Sequence, residues 1–340
     1  MDAPLARSRS PGRLPLLDGM RGLAALCVLG FHLQEVFAFH GPFGRCYLFV
    51  DFFFLLSGFV LGLVAEPRML AGQGWTGFMA SRWRRLWPMI AVGAAIGAAA
   101  FSAGHDEGTT LLFLALAVTM IPILSPSYEP FPLNGPQWSL LMEMIVNLLH
   151  GLLLVRLSQR RLVLLTAALG AALLVVILRD GGNFWLLAEL RVGFSYSLGL
   201  VFARWHRQGG LRQSGAVDWK VPMLFAAGSV LALPYLPLAK TTGDVLMIFG
   251  VFPLAFLGAV VARPAAACER GLLALGRLSY PLYAVHFPIV LLVHRTGRTA
   301  WHIALAAVAT VALATVLAAV MERPRQRVPK DAARDEPAIA

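Results

Sequence analysis

Residues 17–32 read LDGMRGLAALCVLGFH, an apolar run that nevertheless carries Asp18, Arg21 and His32. Ionisable groups inside a membrane span cost on the order of 3 kcal/mol each by insertion scales, so each calls for a partner or a task. Arg21 and His32 stand eleven residues apart. At 100° per residue they fall within about 20° of one another on a helix, roughly 16 Å apart along its axis. Asp18 lies one turn before Arg21 on nearly the same stripe. The run therefore predicts a spanning helix that turns a cation near one end and an imidazole near mid-bilayer toward protein rather than lipid. The bland alternative is an interfacial Asp–Arg pair and a hydrogen-bonded core histidine; the alignment with Arg21 argues against it for His32.

The rest of the chain extends the pattern. Of 340 residues, 58% are hydrophobic and 14% charged, against roughly 45–50% and about 25% in ordinary soluble domains. Mean hydropathy is +0.70. Apolar blocks recur at 17–38, 46–65, 87–103, 109–124, 138–155, 162–178, 184–203, 221–238, 244–262, 277–294 and 300–321. They are apolar nearly all round, which suits lipid rather than water.

The formal charge of +11 does not point to nucleic acid, because Lys and Arg cluster in short loops between the blocks, as the positive-inside rule describes. Cys27, Cys46 and Cys268 make no CxxC or CxxH spacing. Neither a disulfide framework nor a metal site is indicated, and no permanently bound cofactor is expected. Residues 1–14 are basic and lead into a block without a clear cleavage site, so that block reads as a retained first span.

Loop charge sets an expected topology. Arg7, Arg9 and Arg13, then Arg82, Arg84 and Arg85, then Arg156, Arg160 and Arg161 are assigned to the cytoplasm, with Arg204, Arg207, Arg212 and Lys220 and finally Arg323, Arg325, Arg327 and Lys330. The turns at Asp180-Gly181-Gly182, Thr241–Asp244 and Thr296-Gly297 fall outside. Between Leu86 and Gln137 the chain must then cross an odd number of times. One of the two short blocks there, 109–124 in preference to 87–103, is expected to be re-entrant or interfacial, with 125–137 an external loop. The expected fold is an all-α polytopic membrane helical bundle of about ten transmembrane helices. It occupies 15–323, between a cytoplasmic N-terminal tail (1–14) and a disordered cytoplasmic C-terminal tail (324–340), in the inner (cytoplasmic) membrane.

Three further constellations carry polar groups. Ser81–Pro88, SRWRRLWP, reads as a loop in which Arg82 and Arg85 are one helical turn apart. Guanidinium groups suit bidentate phosphate recognition, although positive-inside anchoring competes as an explanation. Pro136-Gln137-Trp138-Ser139 is followed by Glu143, Asn147 and His150, a polar stripe on an apolar span. If that span starts near Trp138, Glu143 lies about 8 Å below the outer surface. There a carboxylate can orient a hydroxyl or accept its proton, while helix–helix hydrogen bonding is the competing role. Ser279, Tyr283 and His286 share another stripe, with packing as the alternative.

At these residues the chain resembles the acyltransferase family 3 membrane proteins over about 14–325. The carrying segments are LDGMRGLAALCVLGFH, VDFFFLLSGF from Val50, SRWRRLWP, QWSLLME from Gln137, LGRLSYPLYAVH from Leu275, and Glu322-Arg323-Pro324. The resemblance implies O-acylation, commonly acetylation, with an acyl coenzyme A as co-substrate from the cytoplasm. It implies a cell-surface glycan, a lipid-linked sugar or a similar molecule as acceptor. Arg21 and His32 match the family's functional pair, and Arg82 and Arg85 its basic motif. On this reading His32, Arg21 and Glu143 are catalytic, and Arg82, Arg85, Tyr283 and His286 bind the donor. Trp138, Ser139 and Asn147 hold the acceptor. The alternative is a transporter of a lipid-linked sugar or acyl group. No repeat relates the chain halves, as many secondary transporters would show.

Overall fold

The computed structural model describes residues 14–125, 127–179 and 184–321. The expectations for residues 1–13, the Asp180-Gly181-Gly182 turn, Glu322-Arg323-Pro324 and the basic tail lie outside the described residues. Every regular element described is helical: α1 Pro15–Val36, α2 Phe49–Arg68, α3 Gly74–Ser102, α4 Glu107–Val118, α5 Gln137–Leu152 and α6 Gln159–Leu178 in the first half. The second half supplies α7 Phe184–Arg207, α8 Lys220–Ala232, α9 Lys240–Val245, α10 Phe252–Val261, α11 Ala266–His294 and α12 Ala300–Met321.

Among the described residues, 8 helical segments are long and apolar enough to cross a membrane. The 61-residue segment Pro42–Ser102 holds two of these helices, α2 and α3, folded back at Gly72, whose φ of 102° is open to glycine. Helices α9 and α10 join through a π-helical Leu246–Val251 into one 22-residue rod. The α8 rod, Lys220–Tyr235, is shorter. The protein is thus a multi-pass helical bundle of the expected class.

Contacts give the helix directions. Helix α1 runs parallel to α11, with Arg21 at Gly276, His32 at His286 and Phe37 at His294. Helix α3 is parallel to α11, with Leu86 at Tyr280 and Gly93 at Ala284. Helices α2, α5 and α7 run the other way: α5 meets α3 at Arg82–Glu143 and Phe78–His150, and α2 meets α7 at Asp51–Arg191 and Glu66–Arg204.

The α1–α11 pair packs backbone to backbone. A Cβ on Gly22 would stand 2.5 Å from the Leu275 carbonyl oxygen, and one on Gly276 2.6 Å from the Asp18 Cβ. Small residues at such a crossing let helices approach where lipid supplies no hydrophobic drive between them.

Two sequence expectations change in form. Ser81–Pro88 is no loop but lies inside the 29-residue α3. Arg and Trp tolerate helix well, and Pro88 removes only one amide donor from it. The 109–124 block forms the 12-residue α4, capped by Asp106, whose Oδ1 accepts from the Thr109 amide at 2.9 Å. Hydrogen bonds from Thr109, side chain first and then backbone, hold the Asp106 carboxyl below the usual carboxylate range.

Helix α4 folds back along α3, with Phe113 against Phe101 and the Val118 carbonyl accepting from Trp87 Nε1. It is too short to span, as expected of a re-entrant segment. The following stretch is not wholly a surface loop, because Phe131, Leu133, Asn134 and Gln137 are buried. Asn134 Nδ2 donates to the Ala284 carbonyl and Gln137 Nε2 to the Ala117 carbonyl, which satisfies polar groups that lipid cannot. Helix α5 therefore begins inside the bundle.

Candidate active site

Helices α1, α2, α3, α5 and α11 surround an elongated cavity of about 840 Å³, part of it open to solvent. Its α2 wall includes Val50, Phe53, Phe54, Ser57 and Leu61. These recur at helical spacing and run about 16 Å along the axis.

One end is basic. Arg21, Arg82 and Arg85 line it together with Glu143. Arg21 is held by α11: its Nε donates to Ser279 Oγ at 2.8 Å, its Nη2 donates to the Gly276 carbonyl at 2.7 Å, and it also pairs with Asp18 Oδ1 at 3.0 Å. Arg82, 7% exposed, donates from Nη2 to Glu143 Oε1 at 2.5 Å, and Ser57 Oγ donates to the same oxygen at 3.2 Å. Three guanidinium groups against the carboxylates of Glu143 and Asp18 leave this end net cationic by one charge, which suits a phosphate-bearing ligand.

Toward the other end, the Tyr283 hydroxyl lies 2.6 Å from Ser139 Oγ. Both hydroxyls also reach the Pro136 carbonyl, Ser139 donating to it at 2.9 Å and Tyr283 at 3.5 Å. The Tyr283 ring also faces Phe53 at 5.6 Å and His286 at 5.5 Å. His286 is fully buried; its Nδ1 lies 2.8 Å from the Tyr283 carbonyl. A carbonyl only accepts, so Nδ1 carries the proton and the lone pair sits on Nε2, which has no protein partner. The His32 ring lies 5.1 Å from that of His286, and its Nδ1 is 3.3 Å from Glu35 Oε2. That contact lacks hydrogen-bond geometry, so Glu35 stands beside the ring without fixing its tautomer.

The structure thus brings Arg21, Arg82, Arg85, Ser139, Glu143 and Tyr283 into one cavity, with His286 one step behind Tyr283 and His32 two steps behind, neither histidine lining the cavity itself. Glu143 sits with the basic end instead of near the opposite surface, because α5 starts inside the bundle. The remaining acceptor candidates point elsewhere. Trp138 packs on Phe184 at 5.3 Å, and Asn147 accepts from the Tyr196 hydroxyl at 3.1 Å.

Asn147 belongs to a second buried network, in which Tyr196 bonds His150 Nδ1 at 2.8 Å and Glu66 pairs with Arg204 at 2.6 Å and Arg207 at 2.8 Å. Sequence reasoning missed Ser57, Tyr280 and Glu35 as site residues. Ser57, a lone hydroxyl within the apolar run VDFFFLLSGF, was the one with a visible signal.

The chain matches the family profile described as an acyltransferase domain across residues 14–321. With nearly the whole described bundle inside that match, the protein belongs to this acyltransferase family and is an acyltransferase enzyme, which decides against the transporter alternative. It is 32% identical over 183 residues to "Protein 2 in picA locus" of Rhizobium radiobacter, spanning 48% of this chain and 95% of that one. It is 27% identical over 321 residues to "Acyltransferase MdmB" of Streptomyces mycarofaciens, covering 83% of this chain and 80% of the other. No solved structure matches the chain.

Proposed function

We propose that the protein is an O-acyltransferase that moves an acyl group from an acyl coenzyme A to a hydroxyl of a cell-surface glycan, a lipid-linked sugar or a similar acceptor. The observation that carries this reading is one cavity with three arginines toward one end and Tyr283, against His286 with His32 behind it, toward the other. Coenzyme A has the same order: phosphates at one end, an amide-bearing arm, and the thioester at the other end. Arg21, Arg82 and Arg85 bind the phosphates, and the thioester comes to rest at Tyr283.

His32 Nε2 then takes the proton of the acceptor hydroxyl, with the Glu35 carboxylate 3.3 Å from Nδ1 beside it, a general-base role. The oxygen forms a bond to the acyl carbon, the carbon–sulfur bond breaks, and the proton passes from His32 to the departing thiolate. The products are an ester and free coenzyme A. Loop charge favours a donor reached from the cytoplasm across an inner membrane, with both termini on that side. The test is release of free thiol from acetyl coenzyme A by the purified protein, with and without sugar acceptors. Absence of thiol release under both conditions would remove the coenzyme A donor.

A further inference from the structure

We infer that His286 is a positioning residue that sets the tautomer of His32: its Nε2 accepts a hydrogen bond from His32 Nδ1–H and so leaves His32 Nε2 as the basic nitrogen. The inference rests on the base role given to His32 above and adds the group that prepares it. It starts from two buried nitrogens without hydrogen-bond partners, His32 Nδ1 and His286 Nε2, on rings 5.1 Å apart.

The tautomer of His286 is fixed by its own helix. Nδ1 stands 2.8 Å from the Tyr283 carbonyl one turn back, so Nδ1 bears the hydrogen and Nε2 can only accept. Nε2, on the outer edge of the ring, points away from the backbone to which Nδ1 is tied. His286 is fully buried, which closes Nε2 off from water. Among the described residues, its aromatic neighbours are Tyr283 and His32. The Tyr283 hydroxyl is already engaged with Ser139 and the Pro136 carbonyl. His32 is the neighbour left with an N–H to give.

His32 has the complementary need. Its side chain is 15% exposed, yet Nδ1 is buried without a partner, so the open part of the ring lies away from Nδ1. Glu35, 58% exposed, stands 3.3 Å away without hydrogen-bond geometry and has water to bond instead. A hydrogen on His32 Nδ1 satisfies both orphaned nitrogens at once, whereas a lone pair there satisfies neither. With His286 held by α11, a turn of the His32 ring makes the contact. At 5.1 Å between centroids, facing ring edges bring two nitrogens to about 2.9 Å, an ordinary hydrogen bond. An imidazole protonated on Nδ1 keeps its lone pair on Nε2, the state a general base requires.

The experiment is ¹⁵N-histidine NMR on the purified full chain in detergent, at mildly alkaline pH and without donor. It distinguishes N–H from lone-pair ring nitrogens, and the signals lost in His32→Gln are those of His32. In the wild type, His32 should carry its hydrogen on Nδ1. His286→Leu removes the acceptor at similar volume, and the hydrogen should move largely to Nε2. His286→Gln offers an amide N–H to the Tyr283 carbonyl and an oxygen to His32, so the wild-type tautomer should return. Glu35→Gln should leave that tautomer in place. In turnover of acetyl coenzyme A, His286→Leu should lower kcat roughly tenfold, the worth of one buried hydrogen bond, with donor KM unchanged. His286→Gln should recover most of that loss, which a packing role would not predict. A His32 hydrogen on Nε2 in the wild type would overturn the assignment, and that reading stands even if His286→Leu fails to fold. An unchanged tautomer in His286→Leu, or a shift in Glu35→Gln alone, would overturn it as well. So would a raised donor KM with kcat constant, which would make His286 a donor contact. The expected tautomers without turnover of any acyl coenzyme A would instead strike the function proposed above.

Discussion

Arg82 and Glu143, 61 residues apart in sequence, form an ion pair of 2.5 Å that joins α3 to α5 inside the bundle. Both are largely shielded, with side chains 8% and 18% exposed. Neither can be removed without leaving the other as an isolated charge in a low-dielectric surrounding. The pair therefore fixes the floor of the cavity as well as contributing to its charge.

That coupling gives the first prediction. Arg82→Ala should raise the donor KM about tenfold or more with a smaller change in kcat. It should also destabilise the protein by about 3 kcal/mol, because it strands Glu143. Adding Glu143→Gln should recover part of that loss, with a coupling energy of about 1–3 kcal/mol between the sites. Thermal unfolding in one detergent and donor kinetics on the four proteins of the cycle measure both effects. Additive losses would show that the two side chains act independently.

His32 separates chemistry from architecture. As the general base, it should lose about 10²–10⁴-fold of transfer rate on change to Ala, with the melting temperature little altered. His32→Gln keeps a hydrogen-bonding group but supplies no base at neutral pH, so it should be as inactive. Turnover near that of the wild type in His32→Gln would rule the base role out.

The helix seam between α1 and α11 should be intolerant of volume. Gly22→Ala places a methyl against the Leu275 backbone, and overpacking of that kind costs about 1–3 kcal/mol. A methyl added at Gly228 would meet nothing within 4 Å, so Gly228→Ala is the matched control and should be neutral. Equal melting temperatures for the two variants would contradict the close approach.

Orientation is open to direct chemistry. Ser127 and Arg160 are both exposed. In a background with Cys27, Cys46 and Cys268 replaced, a single cysteine at 127 should react with a membrane-impermeant thiol reagent in intact cells. One at 160 should react only after permeabilisation. The reverse pattern would invert the proposed topology.

Much of this bundle could be read from residue order, because helical period and bilayer thickness constrain local sequence strongly. The face shared by Arg21 and His32 follows from their eleven-residue spacing, and the failure of 109–124 to span follows from its length and prolines. Depth was harder. Counting residues from Trp138 placed Glu143 near the outer surface, whereas the buried 131–137 segment moves the start of α5 into the bundle.

Periodicity likewise put Ser139, Glu143, Asn147 and His150 on one stripe but could not name its neighbours. The stripe runs about 16 Å, so its first half meets the cavity and its second half meets Tyr196 of α7. The Arg82–Glu143, Asp51–Arg191 and Glu66–Arg204 pairs were invisible for the same reason. Each joins residues on different helices, and a single chain read linearly offers no signal for which helices touch.

The pairing of α1 with α11 imposes an order on biosynthesis. Arg21 finds its Ser279 partner 258 residues later, and α1 rests along nearly its full length on a helix made much later. Until the ribosome has delivered α11, Arg21 has no carbonyl or hydroxyl from that helix to hold it, and the cavity lacks the wall that carries Tyr283. A nascent or truncated chain that ends before α11 can insert most of its helices, yet it cannot assemble a competent centre. Premature consumption of acyl donor by unfinished protein is thereby prevented by connectivity alone.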